Sequence, residues 1–285
     1  MTQTFPSLVT TDWLAAHLGE PDLVVLDASH HLPAAGRDPS GDYACGHIPG
    51  ARLLDLASLF DAASPVPYAM PQPHQVAERL ASLGVAAGAR IVLYDDSAIR
   101  TSARAWFVLT ACGWRDVAIL DGGLGKWRAE GRALESGAPT IAASAPAMLA
   151  PADAVRSKAD MLANLASKAE QVIDARSADR VYGTGIDPVH GGQNGRIPGA
   201  LNLPFTQVLN DDGTYKSPAE LRSAFKAAGL DLARPVVASC GSGVTASVLL
   251  FALHLIGKHD TALYDGSWSE WGADPATPKA QGPEA

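Results

Sequence analysis

PVVASCGSGVTASVLLFAL (235–253) and IVLYDDSAIRTSARAWFVL (91–109) together decide the fold. Each opens on a short β-branched apolar run, passes through a small polar loop, and continues as an apolar stretch long enough for a helix. The pairing recurs outward from there. VVLDAS (24–29) matches QVIDAR (171–176), and HIPGA (47–51) matches RIPGA (196–200). ILDGGLGKW (119–127) matches LYDGSWSEW (263–271). Four blocks repeated in one order at a nearly constant offset indicate a duplication. Each copy is long enough for a domain of about 100–150 residues, so the repeat is two similar domains and not a solenoid.

Within each copy, short apolar runs that read as buried strands, such as LVVLDA, RIVLYD and VAILDG in the first, alternate with helical patterns. Such alternation predicts α/β domains, each a mainly parallel sheet flanked by helices. PHQVAERLASLG (73–84) and SPAELRSAFKAAGL (217–230) carry apolar residues at helical spacing. Gly84 and Gly229 suit the position just past each helix, and Ser217 with Glu220 forms a capping-box pattern. The stretch GAPTIAASAPAMLAPADAV (137–155) is Ala/Pro-rich and nearly uncharged. It sets the boundaries at 1–138 for the first domain, 139–152 for a linker and 153–285 for the second. The Pro/Ala-rich tail GADPATPKAQGPEA (272–285) reads as frayed.

Composition excludes several function classes. A hydrophobic fraction of 47% with 18% charged residues fits a globular chain and not a disordered one. A net charge of −8 with no basic run to offset it argues against nucleic acid or an anionic membrane as partner. No apolar run approaches the roughly 18–20 residues of a membrane span. MTQTFPSLVTTDWL has neither a basic nor an apolar leader region, which makes a cytoplasmic location the expectation. Cys45, Cys112 and Cys240 are too few and too scattered for a disulfide framework or a zinc site. Cys112, in the apolar helix AWFVLTACGW, reads as core, and Cys45 as an incidental thiol in a polar turn.

Cys240 is different. It stands at a strand end facing a helix that begins near Thr245, across Gly241, Ser242 and Gly243. The unpaired amides of a first helical turn and the helix dipole favour thiolate over thiol there. Two glycines let several N–H groups converge on one anion. The alternative is a small buried hydrophobe, as most free cysteines are. Phosphatases of the C-x5-R type need an arginine six positions after the cysteine. Here that position is Ala246.

CGSGVTA (240–246) resembles the active-site loop of the 3-mercaptopyruvate sulfurtransferases of the rhodanese superfamily. YACGHIPGARLL (43–54) and LYDGSWSEW (263–271) resemble the superfamily's N- and C-terminal signatures. The resemblance implies a first domain without a nucleophile, where Asp95 aligns with Cys240, and a second that is catalytic. It implies a ping-pong cycle in which Cys240 takes sulfur from 3-mercaptopyruvate as a persulfide. A thiol such as thioredoxin, or cyanide, then accepts it, with no metal or organic cofactor. Gly241, Gly243, Val244 and Thr245 would line the cradle with Ser242. Asp38, His47 and Ser242 match an assisting relay. Equally, His47 could anchor the turn before Ile48, and Asp38 could be a solvated loop charge.

Arg180 matches an arginine that rhodaneses use near the substrate, whereas Arg176 suits a buried ion pair. The two arginines expected to grip a donor carboxylate are replaced by Tyr182 and Val189, with His190 or Arg196 as substitutes. Two further readings follow from the same residues: a thiosulfate sulfurtransferase, and a non-catalytic tandem binding module. An intact loop argues against the last.

Overall fold

A computed structural model describes residues 5–66, 68–187, 189 and 192–282. The chain divides into two compact units. The first comprises Met1–Asp61, Met70–Ala152 and Asp211–Tyr215; the second comprises Ala62–Ala69, Asp153–Asn210 and Lys216–Ala285.

The first unit holds strands β1 (Leu8–Val9), β2 (Leu23–Asp27), β3 (Arg52–Leu53), β4 (Arg90–Tyr94) and β5 (Val117–Leu120). They form one sheet in the order β1-β5-β4-β2-β3, with every pair parallel. The second unit repeats the plan with β6 (Val155–Arg156), β7 (Gln171–Asp174), β8 (Leu201–Asn202), β9 (Val236–Ser239) and β10 (Thr261–Tyr264). Its order is β6-β10-β9-β7-β8, again all parallel. Parallel neighbours require crossover connections, and the intervening helices supply them, burying the sheet on both faces. This is why the central strands read as unbroken apolar runs: β9 is buried at all four positions and β4 at four of five.

Alternate strand residues point to one face and set its core. Val25, Val92, Tyr94, Ala118 and Leu120 pack with Trp127 in the first unit, and Val172, Val237, Ala262 and Tyr264 with Trp271 in the second. Helix ends follow the sequence signals. Pro73–Ser82 and Pro218–Ala227 close with Gly84 and Gly229 at positive φ, and Ser217 and Glu220 form the reciprocal capping box. The helix Val244–Leu255 is buried continuously from Ala246 to Leu253, as its all-round apolar sequence requires.

In each unit the chain leaves one central strand towards one sheet edge and the next central strand towards the other. The order therefore reverses between β2 and β4, and between β7 and β9. The crevice beyond the carboxyl ends of such a strand pair is where open α/β sheets bind ligands. Cys240 follows β9 directly, and Arg176 lies just past β7.

Residues 139–152 are irregular but not free. Ser144 N–H donates to Ala81 O, its hydroxyl donates to Val85 O, and Ala152 N–H donates to Ala111 O, all within the first unit. The tail corrects an expectation: residues 272–282 are docked and not frayed. Trp271 Nε1 donates to Pro278 O at 2.8 Å, Ala280 pairs antiparallel with Arg196, and Lys158 bonds Asp274 at 2.7 Å. Pro disfavours helix and strand interiors, but it does not prevent a tail from satisfying the polar edges of buried tryptophan and arginine. Among the described residues no helix is long and apolar enough to cross a membrane.

Candidate active site

The second unit's switch point is built from three strand ends. After β9, Cys240 is 2% exposed and opens a loop that closes into the helix Val244–Leu255, with Gly243 at φ +77° as its cap. A turn after β10 holds the base of this loop. Cys240 N–H donates to Ser267 Oγ at 3.1 Å, Trp268 N–H to Cys240 O at 3.0 Å, and Ser269 N–H to Gly241 O at 2.8 Å. The amides of Gly241, Ser242 and Gly243 make no hydrogen bond among the described residues. They stand beside Cys240 at a helix N-terminus, arranged to receive negative charge.

After β7 the chain bends over Asp174, Ala175 and Arg176. Asn202 Nδ2 holds that bend by donating to both Asp174 O and Arg176 O. Arg176, fully buried, bonds the Asp174 carboxylate, Asp187 at 3.4 Å and Gly195 O at 2.7 Å, with its guanidinium 4.5 Å from the Trp268 ring centroid. Burial opposes its charge, but Asp174 and Asp187 outweigh that, and Cys240 acts in the same direction, so its pKa is raised. The buried ion pair expected for Arg176 is thus present, within electrostatic reach of Cys240.

Arg180 lies beside it. Its Nε reaches both Asp187 oxygens at 3.1 and 3.0 Å, and Nη2 reaches Oδ2 at 2.8 Å. Asp187, at 0% exposure, therefore bridges two arginines. It went unnoticed in the sequence because an Asp in a glycine-rich loop carries no signal of burial. Arg196 is also buried, with Nη1 on Gly282 O and its guanidinium 4.8 Å from the Tyr182 ring, so it anchors the tail. Tyr182 is half-buried, Val189 is exposed, and His190 lies outside the described residues. Val244 and Thr245, partly exposed, form the first helical positions above the loop.

Asp38 and His47 belong to the first unit. Asp38 caps the helix Pro39–Cys45, its two oxygens accepting from Ser40 and Gly41 N–H. His47 is 1% exposed and stacks on Tyr43 at 4.0 Å, with Nδ1 2.8 Å from Tyr43 O and its backbone paired with Glu135. A ring nitrogen facing a carbonyl carries a proton, so in the neutral ring Nε2 is the bare nitrogen. It is buried, with no hydrogen-bond partner among the described residues. Cys112 is buried, and burial pushes its thiol up to about 11; Cys45 is exposed.

Comparison with known proteins places the chain in one family. The family described as Rhodanese-like domain matches residues 10–130 and again 157–274. A 3-mercaptopyruvate sulfurtransferase of Mus musculus is 40% identical, covering 94% of this chain and 93% of its own. A thiosulfate sulfurtransferase of Bos taurus is 36% identical over 98% of this chain and 96% of its own. The crystal structure of a 3-mercaptopyruvate sulfotransferase from Escherichia coli is 35% identical. It aligns with a TM-score of 0.81 over 93% of this chain and 99% of that one.

Proposed function

The chain belongs to the rhodanese family as a tandem pair of its domains, and from that premise we infer a sulfurtransferase that takes sulfur from 3-mercaptopyruvate onto Cys240. The observation that carries this reading is the meeting of Cys240 with three unengaged loop amides at the sheet's switch point. The Cys240 thiolate attacks the donor sulfur, an S–S bond forms, and the C–S bond breaks. Its electron pair stays on the donor's methylene carbon, which takes up the proton lost by the donor thiol and leaves as pyruvate. The amides of Gly241, Ser242 and Gly243 receive the persulfide anion as they received the thiolate. An acceptor thiolate, or cyanide, then attacks the outer sulfur and returns the electron pair to Cys240.

Arg180 is the cation for the donor's carboxylate in this scheme, supported by its partial exposure beside the buried Arg176. Asp38 and His47 are included as assisting residues. The support is the bare, buried Nε2 of His47, while Asp38 caps the helix carrying Tyr43, whose carbonyl sets the His47 tautomer. A reducing, cytoplasmic setting suits a persulfide that must be discharged to thiols.

The experiment is intact-mass analysis after incubation with 3-mercaptopyruvate or thiosulfate. One added sulfur atom on Cys240, cleared by thiol and absent from Cys240→Ser, is the expected result. Loading by thiosulfate alone would move the donor assignment to the second reading, and no loading by any donor would overturn both. His47→Gln separates its two roles: a lower kcat at unchanged Tm assigns it to the reaction, a lower Tm at unchanged kcat to the turn.

A further inference from the structure

Ser267 is one of four non-glycine residues among those described with positive φ, at +49°, and it is wholly buried. A side chain in that region is disfavoured and is retained where surroundings over-determine it. The hydroxyl explains the retention. Ser267 Oγ donates to Tyr264 O at 2.8 Å and accepts the N–H of Cys240 at 3.1 Å, tying the end of β10 to the nucleophile's own peptide.

The duplicated turn in the first unit is an internal control. There Gly123 holds the matching place, also at positive φ (+58°), and Leu124 N–H donates to Asp95 O at 3.0 Å as Trp268 N–H does to Cys240 O. A Cβ on Gly123 would come within 2.5 Å of Asp95 O, so that turn admits no side chain. The loop without a nucleophile is held at one point by its turn, whereas the Cys240 loop is held at three.

Peptide planarity gives the three points a consequence. In a trans peptide the C=O of one residue and the N–H of the next point in opposite directions. Turning the carbonyls of Cys240 and Gly241 towards the 267–269 turn therefore turns the amides of Gly241 and Ser242 away from it. Fixing the Cys240 N–H on Ser267 likewise leaves Ser239 O to the Ala175 amide at 2.9 Å. Resting on Cys240 as the sulfur-bearing nucleophile, we propose that Ser267 is a positioning residue: its hydroxyl aims the Cys240 loop so that free amides face the thiolate and the persulfide.

The test uses the full chain with Ser267→Gly, which copies the first unit's solution and relieves the positive φ, and Ser267→Ala, which keeps the strain but lacks the hydroxyl. Alkylation of Cys240 by iodoacetamide is followed against pH at peptide level, so that Cys45 and Cys112 are resolved. Both variants should move the alkylation midpoint up by about one pH unit, roughly tenfold less thiolate below the midpoint. kcat with 3-mercaptopyruvate should fall about tenfold with KM within about twofold, the pattern of a lost transition-state interaction. Tm should hold or rise in Ser267→Gly and fall in Ser267→Ala.

An unchanged alkylation profile in Ser267→Gly overturns the proposal, whatever happens to Tm. If the wild-type protein accepts no sulfur from any donor, the sulfurtransferase reading fails, while the alkylation profile still decides whether Ser267 governs Cys240.

Discussion

The two switch points share a backbone plan and differ in charge. In the second unit Asp174 is paired by Arg176, Asp187 bridges Arg176 and Arg180, and the loop begins with a cysteine whose neighbouring amides are unengaged. In the first unit Ser29 stands where Arg176 would be, and Asp95 where Cys240 would be. Burial pushes the carboxyls of both Asp27 and Asp95 above the usual range, and Asp95 raises Asp27 further. The Asp95 carboxylate turns back on its own loop, accepting from Ser97 and Ser102 N–H at 2.8 Å each. The space left beside Asp95, Arg100 and Tyr215 is about 10 Å³, no more than one water needs. One cradle is thus filled by its own carboxyl and is shut, while the other presents amides that make no hydrogen bond among the described residues. The same fold gives a filled site or a reactive one according to which side chain stands at one position.

The largest effect should come from exchanging those side chains. Cys240→Ser should lose sulfur loading entirely. Asp95→Cys should still load a single sulfur, because the first cradle lacks room for a donor. A second sulfur, seen by intact mass, would break the comparison.

Next in size is the cation. Arg176→Met leaves Asp174 and Asp187 buried with less compensation, and removing one partner of such a pair costs about 3–5 kcal/mol. Urea unfolding should report a loss of that order. A loss below about 1 kcal/mol, typical of exposed pairs such as Arg37 with Asp42, would show that the buried pair is not structural.

The third test is a pH slope in the first unit. Asp121 accepts the Tyr215 N–H at 2.8 Å, yet burial pushes its carboxyl up to about 6. Its folded value lies above its unfolded one, so the folded state binds more protons in between. Stability is full below about pH 4 and declines as pH rises towards 6. Allowing for its partial exposure, the decline is on the order of 1–2 kcal/mol. Asp121→Asn should flatten the difference in unfolding free energy between pH 4 and 7 by that amount; an unchanged slope would place the penalty elsewhere.

The smallest effect concerns the donor. Arg180→Ala should raise the KM for 3-mercaptopyruvate about fivefold, near 1 kcal/mol, with kcat within about twofold. Steady-state kinetics decide it, and an unchanged KM would leave Asp187 as the only partner that Arg180 serves.

Much of this was legible in the chain because it depends on local rules. Period-2 and period-3.6 apolar patterns fixed the alternation of strand and helix, Gly84 and Gly229 marked helix ends, and the recurrence of four blocks fixed two domains of one kind. Cys240 was legible because strand, glycines and helix follow one another without interruption. Asp187, Ser267 and Trp268 were not, since Asp187 meets Arg176 11 residues away and Ser267 and Trp268 meet Cys240 27 and 28 residues away along the chain. The only trace of Ser267 was the difference between DGG and DGS in the repeated turn.

By itself the sequence determined the fold class and the duplication and singled out Cys240 as the candidate nucleophile, for these rest on spacing along one chain. Tertiary structure alone decided which groups surround Cys240, that the 272–282 tail is docked, and that the cradle at Asp95 is closed. Hydrogen bonds and ion pairs between strand ends depend on how β7, β9 and β10 are brought side by side, and a linear pattern carries no record of that.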